Sequence, residues 1–318
     1  MTPERRSHLL KAYAHELGFD SAGITTLDPP PHADALLAWL DAGMAGTMTY
    51  LHRQSRRRRE PTAIVPGATR AIVLTAGYYQ RDTPPPPGSG RVAKYARGLD
   101  YHEALGGALE RLATRIQELG PPGTIARPFV DAGPVPEREL AQRAGLGWIG
   151  KNTMLIQPRR GSFFFLASVL TDLDLAVDAP FDSDRCGSCR RCLDACPTAA
   201  FPTERVLDSR RCISYLTIEY RGEIPGDLRH GMGRWVFGCD ICQDVCPWNQ
   251  KFATPARDGL LRLDPSVEHL DLEALLVATD EEFRQDFGAT ALDRPGATGM
   301  RRNARIARAN GPDPASAS

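Results

Sequence analysis

Residues 186–197 read Cys-Gly-Ser-Cys-Arg-Arg-Cys-Leu-Asp-Ala-Cys-Pro, and residues 239–247 read Cys-Asp-Ile-Cys-Gln-Asp-Val-Cys-Pro. With Cys212 between them, these runs hold all eight cysteines of a 318-residue chain. Val236 occupies the position where the second run's first cysteine would stand, and Cys212 restores the count. Three cysteines at two-residue intervals can wrap one cube of iron and sulfide, while a fourth, three residues on and held away by proline, points at a different cube. The spacing therefore assigns Cys186, Cys189, Cys192 and the far Cys246 to one [4Fe–4S] cluster. Cys239 and Cys242, with Cys212 and the crossing Cys196, hold the other.

This is the spacing of two-cluster bacterial ferredoxins. Structural zinc takes two separated Cys-x-x-Cys pairs, not three cysteines in succession followed by Cys-Pro. A disulfide framework needs an oxidising compartment, and here the cysteines crowd one part of a chain otherwise free of them.

Outward from this stretch, the length suits about two domains. Apolar content of 42% and charged content of 25% are those of a soluble globular chain. The 39 basic and 39 acidic residues cancel, so a nucleic-acid partner would have to be met by local patches rather than a global field. Residues 1–20 are too charged for a signal peptide or membrane span, and thiolates held for iron suit a reducing cytoplasm. We expect a cytoplasmic protein with no membrane partner, acting as a monomer.

Apolar periodicity predicts helices over 4–17, 34–42, 101–119 and 137–144, and strands over 21–26, 71–76, 125–130, 154–157 and 163–171. Alternation of strands and helices argues an α/β domain over residues 1–178. The cysteine domain follows at 179–252. Residues 253–318 form a helical C-terminal segment, with helices at 272–287 and 300–309 and a frayed tail from Gly311. Pro84 to Gly88 read as a stiff surface connection.

A second block runs Val130-Asp131-Ala132-Gly133-Pro134, then Gly145-Leu146-Gly147-Trp148-Ile149-Gly150-Lys151-Asn152. Asp131, at the end of an apolar strand, stands where open α/β sheets bind ligands, although such residues also serve as caps and turn formers. The glycines would let backbone approach a ligand closely. Neither a Walker motif nor a dinucleotide fingerprint is present.

These blocks, with Tyr95-Ala96-Arg97-Gly98 and Asp100-Tyr101-His102 ahead of them and the cysteine runs behind, resemble the epoxyqueuosine reductase family. The resemblance implies a cobalamin-dependent oxidoreductase that converts epoxyqueuosine to queuosine at the tRNA wobble position. It implies a nitroreductase-like cobalamin domain, a two-cluster ferredoxin-like domain, and a short C-terminus like the start of a HEAT repeat. Electrons would pass from an external low-potential donor through both clusters to cobalamin, with Asp131 as proton donor. Arg58, Tyr95, Asp131, Asn152, Leu155, Leu166 and Ser214 match family positions at the cobalamin, Leu155 and Leu166 through their backbone. His102 is expected to cap or pack within its helix. For tRNA, Arg190, Arg191, Arg210, Arg211, Arg301, Arg302, Arg305 and Arg308 are candidate contacts, each pair also readable as plain solvated surface.

Two other functions fit parts of the pattern. One is a cobalamin/iron–sulfur reductase of a small molecule, like the reductive dehalogenases. The other is a non-catalytic electron carrier, which would need neither the Asp131 block nor so long a chain ahead of the clusters.

Overall fold

Two apolar runs, over 70–77 and 164–171, are buried along nearly their whole length and form the centre of the first sheet. The computed structural model describes residues 1–131, 133–257 and 259–311, so the tail beyond Gly311 lies outside the described residues. Among these, the strands in chain order are β1 (Ser21–Thr26), β2 (Arg70–Gly77), β3 (Ser89–Val92), β4 (Ala126–Phe129), β5 (Trp148–Ile149), β6 (Leu155–Ile156), β7 (Phe164–Thr171), β8 (Trp235–Phe237) and β9 (His269–Asp271). The helices ahead of the cysteines are α1 (Pro3–Glu16), α2 (Ala33–Asp41), α3 (Thr49–Arg53), α4 (Ser55–Arg59), α5 (Tyr101–Leu119) and α6 (Glu137–Arg143). Behind them come α7 (Arg191–Asp194), α8 (Ile213–Ile218), α9 (Gly226–Arg229), α10 (Ile241–Asp244), α11 (Pro247–Phe252), α12 (Leu272–Val277), α13 (Asp280–Phe287) and α14 (Gly296–Asn310).

The predicted elements of the first part form where expected, but their pairing corrects the expected sheet. The order is β1-β2-β7-β4, and every pair in it is antiparallel. The first part is therefore α+β, because long helical excursions separate strands that return in opposite directions rather than by parallel crossovers. Leu10, Ile72, Leu74, Leu109, Leu112 and Val169, buried from the α1, α5 and sheet sides, form its core.

Beyond the proline-rich connection, β3 pairs in parallel with β8 from the cysteine region and antiparallel with β9 from the C-terminal segment. This sheet stitches together three stretches that are distant in sequence. Val236, standing in the vacated cysteine position, is a fully buried β8 residue in the cluster with Val92, Phe237, Leu272 and Met300. Beside it lies a buried ionic network. Lys94 Nζ binds Asp82 at 2.7 Å and Asp244 at 2.9 Å, and the Lys94 backbone N–H donates to Asp240. The buried Arg97 guanidinium binds Asp82 at 2.8 Å and Glu268 at 3.2 Å.

The single helix expected over 272–287 is two. Thr279 and Glu282 form a reciprocal capping box that starts α13 afresh after the extended Ala278. The following α14 packs against β8 and α12 through buried polar groups. Asn303 Nδ2 donates to the carbonyls of Thr217 and Val236, and the Arg302 guanidinium to those of Leu216, Tyr220 and Gly222. Arg301 pairs with Asp280 and Arg308 with Glu273. Of the four candidate RNA contacts on this helix, Arg302 is buried in structural work, Arg301 and Arg308 are engaged as ion pairs, and Arg305 is exposed with no ion pair among the described residues.

Asn303→Ala leaves the Thr217 and Val236 carbonyls buried without their donor, each omission costing about 1–3 kcal/mol. We expect a clear fall in the denaturant midpoint, measured by circular dichroism with cluster content held equal.

Candidate active site and cysteine quartets

The strand β4 ends one residue before Val130 and hands the chain to Asp131, whose φ of 49° lies in the left-handed region. Aspartate tolerates that region better than most residues, but it is still held there at a cost. Its holders are visible. The Asp131 backbone N–H donates to Glu137 Oε1 at 3.1 Å, from the first turn of α6. From α4, the Arg58 guanidinium donates to the carbonyls of Gly133 at 3.1 Å and Val135 at 3.3 Å. Tyr101, at the start of α5, donates its hydroxyl to Asp131 Oδ2 at 2.6 Å.

Burial, then the Asp131 charge, pushes the Glu137 carboxyl up to about 8. The same two causes push the Tyr101 phenol far above its ordinary value, so its proton stays in the bond to Asp131. Arg138 is accessible to solvent, yet burial among surrounding protein pulls its pKa down. Arg138 also donates to the Thr153 carbonyl at 2.5 Å, joining the Asp131 loop to the glycine block.

Gly145 and Gly147 make room for the protein's own backbone. A Cβ on Gly147 would stand 2.1 Å from the Ile156 carbonyl across the β5–β6 hairpin, and one on Gly145 2.6 Å from that of Ala179. Asn152, almost wholly buried, donates to the Cys242 carbonyl at 3.2 Å. Tyr95 packs edge-on to Tyr101 and Phe165 and is tilted against Phe237. A Cβ on Gly238 would meet Ala93 and Tyr95, so the loop bearing Cys239 lies against Tyr95. Leu155 is a core residue and Leu166 is half-buried against the same core. Ser214 stands in the first turn of α8; burial pushes the nearby Cys212 thiol up, against the pull of the Tyr215 and Ser214 backbone N–H groups. His102 binds Asp100 at 2.7 Å and stacks on Tyr101, as expected of a helix-start residue.

The eight cysteines are free thiols gathered in two sets. A cavity of about 400 Å³ is lined by Cys186, Cys189, Cys192 and Cys246. Burial first, then Cys186, Cys246 and Cys189, push the Cys192 thiol up to about 11. In the second set, Cys239 is raised by burial and further by Cys212 and Cys196, and Cys242 by burial and then by Cys239 and Cys212. Thiols this close repel as thiolates, and ferric and ferrous iron is the counter-charge that such a set fits. Among the described residues, no three His, Cys, Asp or Glu converge on a position for one metal ion. The sets are adjacent, since Cys242 also feels Cys192. Neighbour by neighbour, the path runs from the first quartet to the second, then to Tyr95, Tyr101 and Asp131.

Tyr101, Glu137 and Arg138 were not singled out from the sequence as site residues. Tyr101 and Glu137 offered only positions at helix starts near conspicuous motifs, and nothing local shows that both reach Asp131.

Two cysteine quartets, one of them an aromatic layer from a carboxylate held on a left-handed turn, define an iron–sulfur redox enzyme. A 4Fe-4S double cluster binding domain matches residues 185–249, and the model of epoxyqueuosine reductase QueG, DUF1730, matches residues 58–132. The chain is 43% identical over 316 residues to an epoxyqueuosine reductase of Pseudomonas aeruginosa, covering 98% of this chain and 87% of that one. It is 42% identical over 309 residues to that of Cyclobacterium marinum, covering 95% and 96%. Among solved structures, an epoxyqueuosine reductase with a tRNA-Tyr epoxyqueuosine-modified stem loop superposes with TM-score 0.88 at 30% identity, covering 96% of this chain and 81% of that one. The Bacillus subtilis enzyme with its catalytic aspartate loop swung out of the active site superposes with TM-score 0.87 at 30% identity, covering 98% and 83%. The chain belongs to the epoxyqueuosine reductase family.

Glu137 has its pKa raised on folding, so the neutral form's contribution to stability is full below about pH 4.5 and is lost as the pH rises through about 8. Glu137→Gln should therefore flatten the fall of melting temperature between pH 5 and 8, read by thermal denaturation across that range. An unchanged slope would show that Glu137 ionises as it does in the unfolded chain.

Proposed function

We propose that the chain reduces epoxyqueuosine to queuosine in the anticodon loop of tRNA, with two [4Fe–4S] clusters and cobalamin. The observation that carries this reading is that Asp131, held by Tyr101 and Glu137, stands one aromatic layer from the second cysteine quartet. The residues suit a corrin: Arg58 holds the Asp131 loop, Tyr95 packs on Tyr101, Asn152 is tied to the Cys242 carbonyl, Leu155 and Leu166 would offer backbone, and Ser214 lies beside the second quartet. Bound cobalamin would supply low-potential electrons to an epoxide carbon, chemistry beyond any side chain.

Removing the epoxide oxygen to leave an alkene takes two electrons and two protons and releases water. Asp131 gives a proton to the oxygen as its bond to carbon breaks, because the developing alkoxide is a strong base. Tyr101 fixes Oδ2 through its hydroxyl. Glu137 and Arg58 keep the loop in its left-handed turn, so the carboxyl is presented without searching. Tyr95 fills the space between Tyr101 and the loop bearing Cys239.

The RNA-facing charge is best placed on α3 and α4. Arg58 ties α4 to the Asp131 loop, and Arg53 and Arg57 are exposed nearby with no carboxylate in ion-pair range among the described residues. Their neighbours Arg56 and Arg59 are paired with Glu60 and Asp34. We read residues 1–178 as the cobalamin unit, 179–252 as the cluster unit, and the last helices as the start of a HEAT-like repeat.

Asp131→Asn should keep clusters, cobalamin and fold while turnover falls about a hundred- to ten-thousand-fold, the usual contribution of a general acid. Mass spectrometry of nucleosides from epoxyqueuosine tRNA reads this, and wild-type-like turnover would remove Asp131 from the mechanism. Arg53→Glu with Arg57→Glu should weaken stem-loop binding and lower the slope of log affinity against log salt by roughly 0.7–0.9 per lost phosphate contact. Fluorescence anisotropy at several salt concentrations checks it; an unchanged slope would place the RNA elsewhere.

A further inference from the structure

We propose that the mouth of the first cysteine quartet is the docking surface for a small acidic one-electron carrier protein. The inference rests on the iron–sulfur part of the reading above and not on the identity of the substrate. The cavity lined by Cys186, Cys189, Cys192 and Cys246 also has Arg185, Trp248, Lys251 and Phe252 in its wall. The cysteine loop around it, residues 182–191, is mostly exposed. Next to this mouth is an aromatic belt: Phe181 stacks on Trp148, Trp148 meets Trp248 edge-on at 4.9 Å, and Trp248 stacks on Phe252.

The cations beside this belt are held by rings and an amide instead of by acids. Arg185 lies 5.2 Å over Phe181 and Lys251 5.2 Å over Phe252, while Arg191 reaches Gln250. Among the described residues none of the three has a carboxylate in ion-pair range. The nearby acids are mostly spoken for: Asp184 by Arg205 and the Cys186 N–H, Asp194 by Arg190, and Glu204 by Lys151. Asp182 is exposed beside them. The mouth is thus an apolar, aromatic centre with uncompensated positive charge around it. Such a surface attracts an acidic partner over a Debye length, orients it, and releases it once the electron has moved. Weak redox encounters are built in this way, with small contact areas.

The electron count agrees. Each encounter oxidises the carrier by one electron and reduces the cluster by one, so two encounters supply the two electrons that one deoxygenation consumes. The first quartet is the receiving end because the second lies against Tyr95, on the side of Asp131.

The test compares wild type with Arg185→Glu/Lys251→Glu, both loaded with iron and sulfide and matched for iron content. An acidic [2Fe–2S] ferredoxin serves as the carrier, with binding read by nuclear magnetic resonance line broadening of the ferredoxin and electron transfer by stopped-flow absorbance. We expect the double variant to bind the ferredoxin, and to accept its electrons, at least about tenfold less well at low salt, the lower end of what charge steering contributes. The difference should shrink at high salt, and reduction by dithionite should be unchanged. The milder Arg185→Gln/Lys251→Gln should fall between, which guards against damage from charge reversal. Equal ferredoxin binding by wild type and variant, or none by wild type, overturns the proposal. So does a loss of tRNA stem-loop affinity with ferredoxin binding intact, which would assign the face to RNA. Wild-type protein that holds no iron after loading would sink the iron–sulfur reading and this surface with it, whereas cluster reduction without turnover on epoxyqueuosine tRNA would sink only the substrate assignment.

Discussion

The buried cations Lys94 and Arg97 decide how the cluster-bearing part sits on the catalytic part. They draw in Asp82 from the proline-rich connection, Asp240 and Asp244 from the second cysteine run, and Glu268 from the approach to β9. Buried charges lose their water, so such a network is worth little unless every member finds a partner, and removing one strands the rest. Asp240 illustrates the balance. Burial pushes its carboxyl up to about 6, against the pull of Lys94 and its backbone N–H. Because partners come from three separate stretches, only one docking of those stretches satisfies them all. That docking sets Tyr95 between the second quartet and Tyr101.

A second constraint acts within the catalytic part. Asp131 occupies a backbone region that costs most residues of order 1–3 kcal/mol, and the surrounding hydrogen bonds over-determine it there. Arg58 and Glu137 grip the loop through main-chain atoms, which leaves the Asp131 side chain to Tyr101. The two carboxyls are neighbours with different duties. Burial, then the neighbouring Asp131, pushes the Glu137 carboxyl up to about 8, so near pH 7 it is mostly neutral and can hold the loop without a full charge of its own.

Charge is distributed with a similar division of labour. The chain has no net charge, so a polyanionic partner can be met only by local patches. Exposed arginines of α3 and α4 flank the Asp131 loop, while Arg185, Arg191 and Lys251 surround the first quartet. The arginines of α14 are largely occupied in holding the C-terminal helix to β8, α8 and α12. Arginine count in a helix therefore says little about RNA binding until the helix's packed face is known.

Much of the molecule was legible in its sequence. Apolar periodicity located most strands and helices of the first part, and cysteine spacing sorted eight ligands into the two sets that the fold brings together. Spacing succeeds because cluster ligation depends on short covalent intervals and on proline turning the fourth cysteine away. The break at Thr279 depended on a three-residue capping pattern within a stretch of helical periodicity. The antiparallel sheet could not be read, since periodicity reports burial but not strand direction. Nor could the true work of Gly145 and Gly147, which make room for carbonyls of residues packed against them. By itself the sequence grouped the eight cysteines into two sets, marked Asp131 as the candidate proton donor and pointed to the family to which the chain belongs. Only the tertiary structure decided that Tyr101 and Glu137 hold Asp131, that Lys94 locks the units, and which arginines remain open to a partner. Those contacts join residues far apart along the chain or on different elements, so they exist only once hydrogen-bond direction and burial are settled across the whole fold.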